Sequence, residues 1–234
     1  MLLTLSNLRA LRADHVAQLI SNFESSFAVQ LTDESKTIRD VLNQIDTKLF
    51  RAYIKPVVDN LNSIIVNGIT SPDWVPSTSR PTQVRPYIYH TMLALVMVHT
   101  EVTTTLPSAP PSLNQQSASS SSSVTTAVLS ELVTQISNAL LEAFKLRPMY
   151  TLPALMQATL DTEFVAQTMS QYVTEPASKI QNQIYLELDQ RTNNEARARL
   201  QAELGEMRGV LKKLREGTRG EFACFRKPRS GTSK

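Results

Sequence analysis

Three histidines, one cysteine and a cluster of cations are the residues from which this sequence could build chemistry. His90 and His99 lie nine positions apart, about two and a half helical turns, so they point to different faces of one helix. His99-Thr100-Glu101 lacks the second histidine that a helical zinc site needs four positions on. Both are expected to be structural, His99 as a buried, hydrogen-bonded side chain. Cys224 has no partner cysteine and stands between Phe222 and Phe225, where packing on an apolar face is expected. Palmitoylation beside a basic tail is the other reading of that thiol. The glycines cluster in the last helix rather than after a strand, so no phosphate-cradling loop exists. Glu187, Asp189, Glu195, Glu203 and Glu206 fall at solvated helix-surface positions. The expectation is no catalytic residue, no metal ligand and no cofactor.

Charge is the feature that stands out. The net charge of +3 hides a gradient along the chain. Residues 121–207 hold six basic and ten acidic residues, whereas residues 208–234 hold nine basic and two acidic. Arg208, Lys212, Lys213, Arg215 and Arg219 are close to helical spacing, and Arg226, Lys227 and Arg229 follow. These eight residues are the candidate contact for acidic lipid headgroups or an acidic partner; a merely solvated surface is the plainer alternative. Nucleic acid is not expected, because no groove-reading motif accompanies the charge.

The elements that must position these residues are helices. Leu, Ala, Gln and Glu are common, glycine and aromatics scarce, and no stretch alternates with a period of two. A short helix around Leu8 and Leu11 precedes one capped by Asp14, with Val16, Leu19, Ile20, Phe23 and Phe27 on its face. From Ile38 to Ile65 one apolar face holds for almost eight turns, with Pro56 expected to kink or split it and Asn67-Gly68 to stop it. Pro72, Pro76 and Pro81 mark a connector anchored by Trp74, the only tryptophan. Residues 86–103, apolar without a break from Met92 to Val98, are expected to form a central helix buried on most sides. Residues 104–123, with five consecutive serines, are expected to be disordered. Helices then resume from Val124, Thr151, Pro176 and Asn194, the last reaching Phe225. A single cysteine fits a reducing compartment; no signal peptide is expected, since Met1–Leu5 lacks a basic stretch and Ser6, Asn7 and Arg9 interrupt it, and no apolar run is long enough for a membrane span.

Several segments resemble the C-terminal region of one family. Arg85-Pro86-Tyr87-Ile88-Tyr89 running into Leu95-Val96-Met97-Val98-His99-Thr100-Glu101-Val102 is similar to a signature of the Sec-five subunit of the exocyst. The likeness continues through Tyr150-Thr151-Leu152-Pro153-Ala154-Leu155-Met156-Gln157-Ala158-Thr159-Leu160-Asp161 and Gln183-Ile184-Tyr185-Leu186-Glu187-Leu188-Asp189. It closes with Leu211-Lys212-Lys213-Leu214-Arg215-Glu216-Gly217-Thr218-Arg219 and Glu221-Phe222-Ala223-Cys224-Phe225, in wording closest to filamentous-fungal members. The resemblance implies a rod of stacked helical bundles within an octameric complex that tethers secretory vesicles to the plasma membrane. Family members are much longer, so the chain is expected to be the C-terminal part, without the segments that assemble the complex or bind a Ral-type GTPase.

The expected organisation is therefore all-α: antiparallel helical bundles stacked as a rod. Residues 1–68 would end a preceding bundle, 69–85 form the connector, 86–225 the C-terminal bundle with the loop 104–123, and 226–234 the basic tail. Helices 86–103 and 124–145 would be antiparallel neighbours. The expected function is non-enzymatic scaffolding in exocytosis, with other exocyst subunits as partners. The expected location is cytoplasmic, peripheral at plasma-membrane sites of polarised secretion. The alternative is a peripheral protein that binds anionic membrane lipids through its basic tail.

Overall fold

Every regular element in the computed structural model is a helix, among the described residues 1–76, 80–106 and 116–226; the side chains of 116–123 are not described. The helices are α1 (Leu2–Ala10), α2 (Val16–Phe27), α3 (Thr32–Thr70), α4 (Pro86–Thr105), α5 (Gln116–Lys145), α6 (Leu152–Thr168), α7 (Glu175–Gln190) and α8 (Asn194–Gly217). The chain is an all-α helical bundle protein, as its apolar spacing predicts. It divides into two compact units, residues 1–57 with 99–128, and residues 58–98 with 129–234. The divisions fall inside α3, α4 and α5, and the whole proline-rich connector lies in the second unit.

In the first unit α1 does not stop before Asp14. It runs on through a π-helical turn, Leu11–His15, into α2, so Asp14 is interior and not a cap. Ala28 ends α2 in the left-handed conformation, with φ of 52°. Glu24 then accepts the backbone N–H of Leu31 at 2.8 Å and closes the turn into α3. Arg9 grips Asp46 of α3 through two hydrogen bonds, of 2.7 and 3.1 Å, and lies over the Phe50 ring. Much of the apolar face of α2 and early α3 stays exposed: Leu19, Phe23, Phe27, Ile38, Val41 and Ile45.

Three sequence expectations about the helices are corrected, and of the two effects expected of Pro56, a kink or a split, the split is excluded. Pro56 does not split α3, because buried Ile54, Leu61 and Ile65 form one stripe that holds the helix on either side of it. Gly68 does not stop α3, which continues to Thr70. Its lack of a side chain serves another purpose: a Cβ there would lie 2.3 Å from the Cβ of Tyr87. Residues 117–123, six of them serine, are not a loop but belong to the start of α5. Once the amphipathic stretch from Val124 has nucleated a helix, extending it through serine costs only about 0.5 kcal/mol per residue. At its other end the expected loop loses Thr104 and Thr105 to α4, and residues 107–115 lie outside the described residues. Finally, α8 ends at Gly217, and Phe222 and Phe225 follow in a turn and a 3-10 helix.

In the second unit the most enclosed helix is α6, not α4. Ten of its residues from Ala154 to Val165 are buried, including Gln157, Asp161 and Thr162. On α4, by contrast, Leu93 and Met97 are 49% and 72% exposed, because burial of Ile88, Met92 and Leu95 uses only one face of an apolar helix. α6 packs on α7 and α8. Thr174 caps α7 by accepting from Ala177 N, and Asn193 caps α8 by accepting from Ala196 N at 2.7 Å. The C-terminal carbonyls are capped by arginines. Arg147 donates to Ile69 O at the end of α3 (2.7 Å) and stacks 4.5 Å over Trp74, while Arg191 donates to Lys145 O at the end of α5 (3.0 Å). The segment Val124–Lys145 of α5 is long and apolar enough to cross a bilayer by length and composition, against the sequence expectation, but more than half of its most apolar window is buried within the protein. A core helix passes the same test.

Candidate functional site

Two family-like segments meet at one buried carboxylate. Asp161, on the inward face of α6, is fully buried and accepts three hydrogen bonds. They come from the backbone N–H of Arg85 (3.0 Å), the Tyr87 hydroxyl (3.0 Å) and the Gln157 amide (2.8 Å). Gln157 also donates to Gln83 O, so α6 holds the last turn of the connector and the first turn of α4. Burial pushes the Asp161 carboxyl up from 3.8 to about 7, against the opposing pull of its three donors and the nearby Arg85. Arg85 donates from Nε to Trp74 O at 2.6 Å, which ties the connector's anchor to the same clamp. The clamp is a structural joint that ties the start of α4 to the middle of α6. Sequence reasoning passed over Asp161. The available signal was a carboxylate one turn from Gln157 on the apolar face of α6.

The basic residues are positioned by α8 and the turn beyond it. Met207 and Leu211 are buried, which fixes the rotation of the helix and leaves Arg208, Lys212 and Lys213 exposed. Arg219 and Arg226 are also exposed. Arg215 differs: it is half-buried and donates to Oε1 (2.9 Å) and the backbone O (3.2 Å) of Gln167 at the end of α6. Arg226 folds back and donates to Arg215 O at 2.8 Å. Lys227 and Arg229 lie outside the described residues.

Ion pairing separates the two halves of this surface. Lys179 pairs with Glu175, Arg191 with Glu187, Arg197 with Asp189 and Arg199 with Glu195, and Arg80 pairs with both Glu203 and Glu206. From Arg208 onward, no cation has a carboxylate within ion-pair distance among the described residues. The C-terminal end therefore presents uncompensated positive charge.

Aromatic contacts pin that end in place. Tyr89 meets Phe164, Phe164 meets Phe222, Phe222 stacks on Phe225, and Phe225 meets Tyr172, each pair 6.1 to 6.5 Å between ring centres. Cys224 is half-buried among them, and burial raises its thiol pKa, which disfavours the reactive thiolate. His90 is exposed, and His99 is half-buried rather than buried, with its pKa lowered by desolvation. Among the described residues no three metal-binding side chains come together.

The family described as exocyst complex component Sec5 matches residues 1–225, the span that includes the Asp161 clamp, α8 and the aromatic pins. No curated protein and no solved structure matches the chain. With nearly the whole chain covered, the protein belongs to the exocyst complex component Sec5 family.

Proposed function

We propose that this chain is the C-terminal part of an exocyst subunit, a non-enzymatic scaffold in tethering secretory vesicles to the plasma membrane. Other exocyst subunits are its partners, and it works in the cytoplasm, peripherally at membrane sites of polarised secretion. The family match over residues 1–225 carries this reading. Two physical features support it. The polar groups at the centre of α6 are spent on joining helices. The exposed apolar residues Leu19, Phe23 and Phe27 of α2 and Ile38, Val41 and Ile45 of α3 have the character of protein-contact surface. Ral-type GTPase binding is not assigned to any residue of this chain. Depletion of the endogenous protein tests the reading: secretory vesicles should accumulate beneath the plasma membrane, and undisturbed vesicle arrival and fusion would refute it.

A second reading, peripheral attachment to anionic lipids, is favoured by the uncompensated Arg208, Lys212, Lys213 and Arg219. Each such cation near an anionic bilayer contributes about 1 kcal/mol of attraction. Co-sedimentation with phosphatidylserine vesicles, for the intact chain and for the variant Arg208→Gln/Lys212→Gln/Lys213→Gln/Arg219→Gln, tests it; loss in the variant supports attachment, and no binding by either, or equal binding by both, removes it.

A further inference from the structure

We propose that a pocket between the end of α6 and the end of α8 binds a phosphoryl group carried on a polyol, either a phosphorylated lipid headgroup or a soluble polyol phosphate. The proposal deepens the second reading, attachment to anionic lipids, by giving the basic end a specific receptor. The pocket has a volume of about 420 Å³, within the ordinary range for small-ligand sites. Arg215, Arg226, Gln167, Thr168, Ser170 and Gln171 line it, and none of its lining residues is acidic.

The donors there are only partly used. Arg215 spends Nη1 and Nη2 on Gln167, but its Nε is buried without a hydrogen-bond partner. The Thr168 hydroxyl is also buried and unpartnered, as is that of Thr162 on the same helix, whereas the helix-borne Thr91, Thr134 and Thr159 each bond a carbonyl one turn back. Buried polar groups in proteins are nearly always satisfied, so two orphans lining one pocket mark a place where a partner is missing. Arg226 uses only Nη2, on Arg215 O, and keeps Nε and Nη1 for another acceptor.

Electrostatics select an anion. The C-termini of α6 and α8 each bring about half a negative charge towards this region, against two full guanidinium charges, so the balance is about one positive charge. The exposed Lys212 and Arg219, neither of which has a carboxylate within ion-pair distance among the described residues, add attraction. A phosphoryl group supplies several acceptor oxygens to guanidinium forks and hydroxyls, the arrangement in which arginine excels. The polyol hydroxyls match the amide of Gln171 and the hydroxyl of Ser170.

The test uses the full 234-residue chain with inositol hexakisphosphate in calorimetry, and with phosphatidylcholine vesicles doped either with a phosphoinositide or with phosphatidylserine at equal charge. Arg226→Gln and Thr168→Val, each checked for an unchanged thermal midpoint, should weaken the soluble probe by about tenfold. The double variant Lys212→Gln/Lys213→Gln, outside the pocket, should change it less than about twofold. Binding of phosphoinositide vesicles in competition with the soluble probe assigns a lipid headgroup; binding of the soluble probe alone assigns a free polyol phosphate. Equal loss in all variants, or no binding of the soluble probe, overturns the pocket. Phosphatidylserine binding that survives Arg226→Gln would leave the general lipid reading standing while the pocket fails.

Discussion

The hydroxyl of Tyr87, in the first turn of α4, donates to Asp161 Oδ2 in the middle of α6 across 3.0 Å. Both groups are enclosed, so neither has water to fall back on. The pair joins a helix start to the most enclosed helix of its unit. Tyr87→Phe removes one donor and leaves an acceptor unsatisfied, a cost of about 1–2 kcal/mol. Urea unfolding should show that loss; an unchanged midpoint would mean that the hydroxyl contributes nothing to the joint.

The same carboxyl makes stability depend on pH. Asp161 holds its proton more tightly folded, at about 7, than unfolded, at 3.8. Its contribution is therefore fully present below pH ~4 and is lost as pH rises through ~7. The amount is on the order of a few kcal/mol. Asp161→Asn removes this proton exchange, so the difference between variant and parent should shift in favour of the variant as pH rises from 5 to 8. Parallel stability curves over that window would contradict the burial of an ionisable group there.

Gly68 faces Tyr87 from α3 with no room for a methyl group. Gly68→Ala gains helix propensity, about 1 kcal/mol, but drives a Cβ against the root of the Tyr87 side chain. Overpacking should win, with a net loss of about 1–3 kcal/mol. A thermal midpoint that rose would show that α3 and α4 separate freely at this point.

Two substitutions should stabilise. Gly209 has open space around its missing Cβ and an ordinary helical backbone, so Gly209→Ala should add about 0.5–1 kcal/mol. Ala28 sits in the left-handed region at the end of α2, so Ala28→Gly should add about 1 kcal/mol by relieving a Cβ strain. Chemical denaturation of each single variant checks both signs.

Arg147 combines two tasks, capping Ile69 O and covering Trp74. Arg147→Ala should cost about 2–3 kcal/mol through a lost charged hydrogen bond and a lost stack. It should also shift the emission of the single tryptophan to longer wavelength as water reaches its face. Unchanged emission would place Trp74 outside the shelter of Arg147.

The sequence made the helices legible because apolar spacing and caps are local. Asn194 and Pro176 mark starts that the structure keeps to within one residue. What local pattern could not show was which helix lies innermost. The unbroken apolar run of α4 pointed to it, yet Leu93 and Met97 are exposed, while α6 encloses Gln157 and Asp161. A buried carboxylate is a long-range fact, created by Arg85 and Tyr87 arriving from more than seventy residues away. Likewise Gly68 read as a stop until Tyr87 supplied the reason for it. The basic residues of α8 were visible as a run, but only the ion pairs of Arg197 and Arg199 show that compensation ends before Arg208.

Affinity purification of the full-length endogenous protein, followed by identification of what comes with it, tests the central claim most directly. The account predicts the other exocyst subunits in comparable amounts. Recovery of the protein without any of them would contradict it.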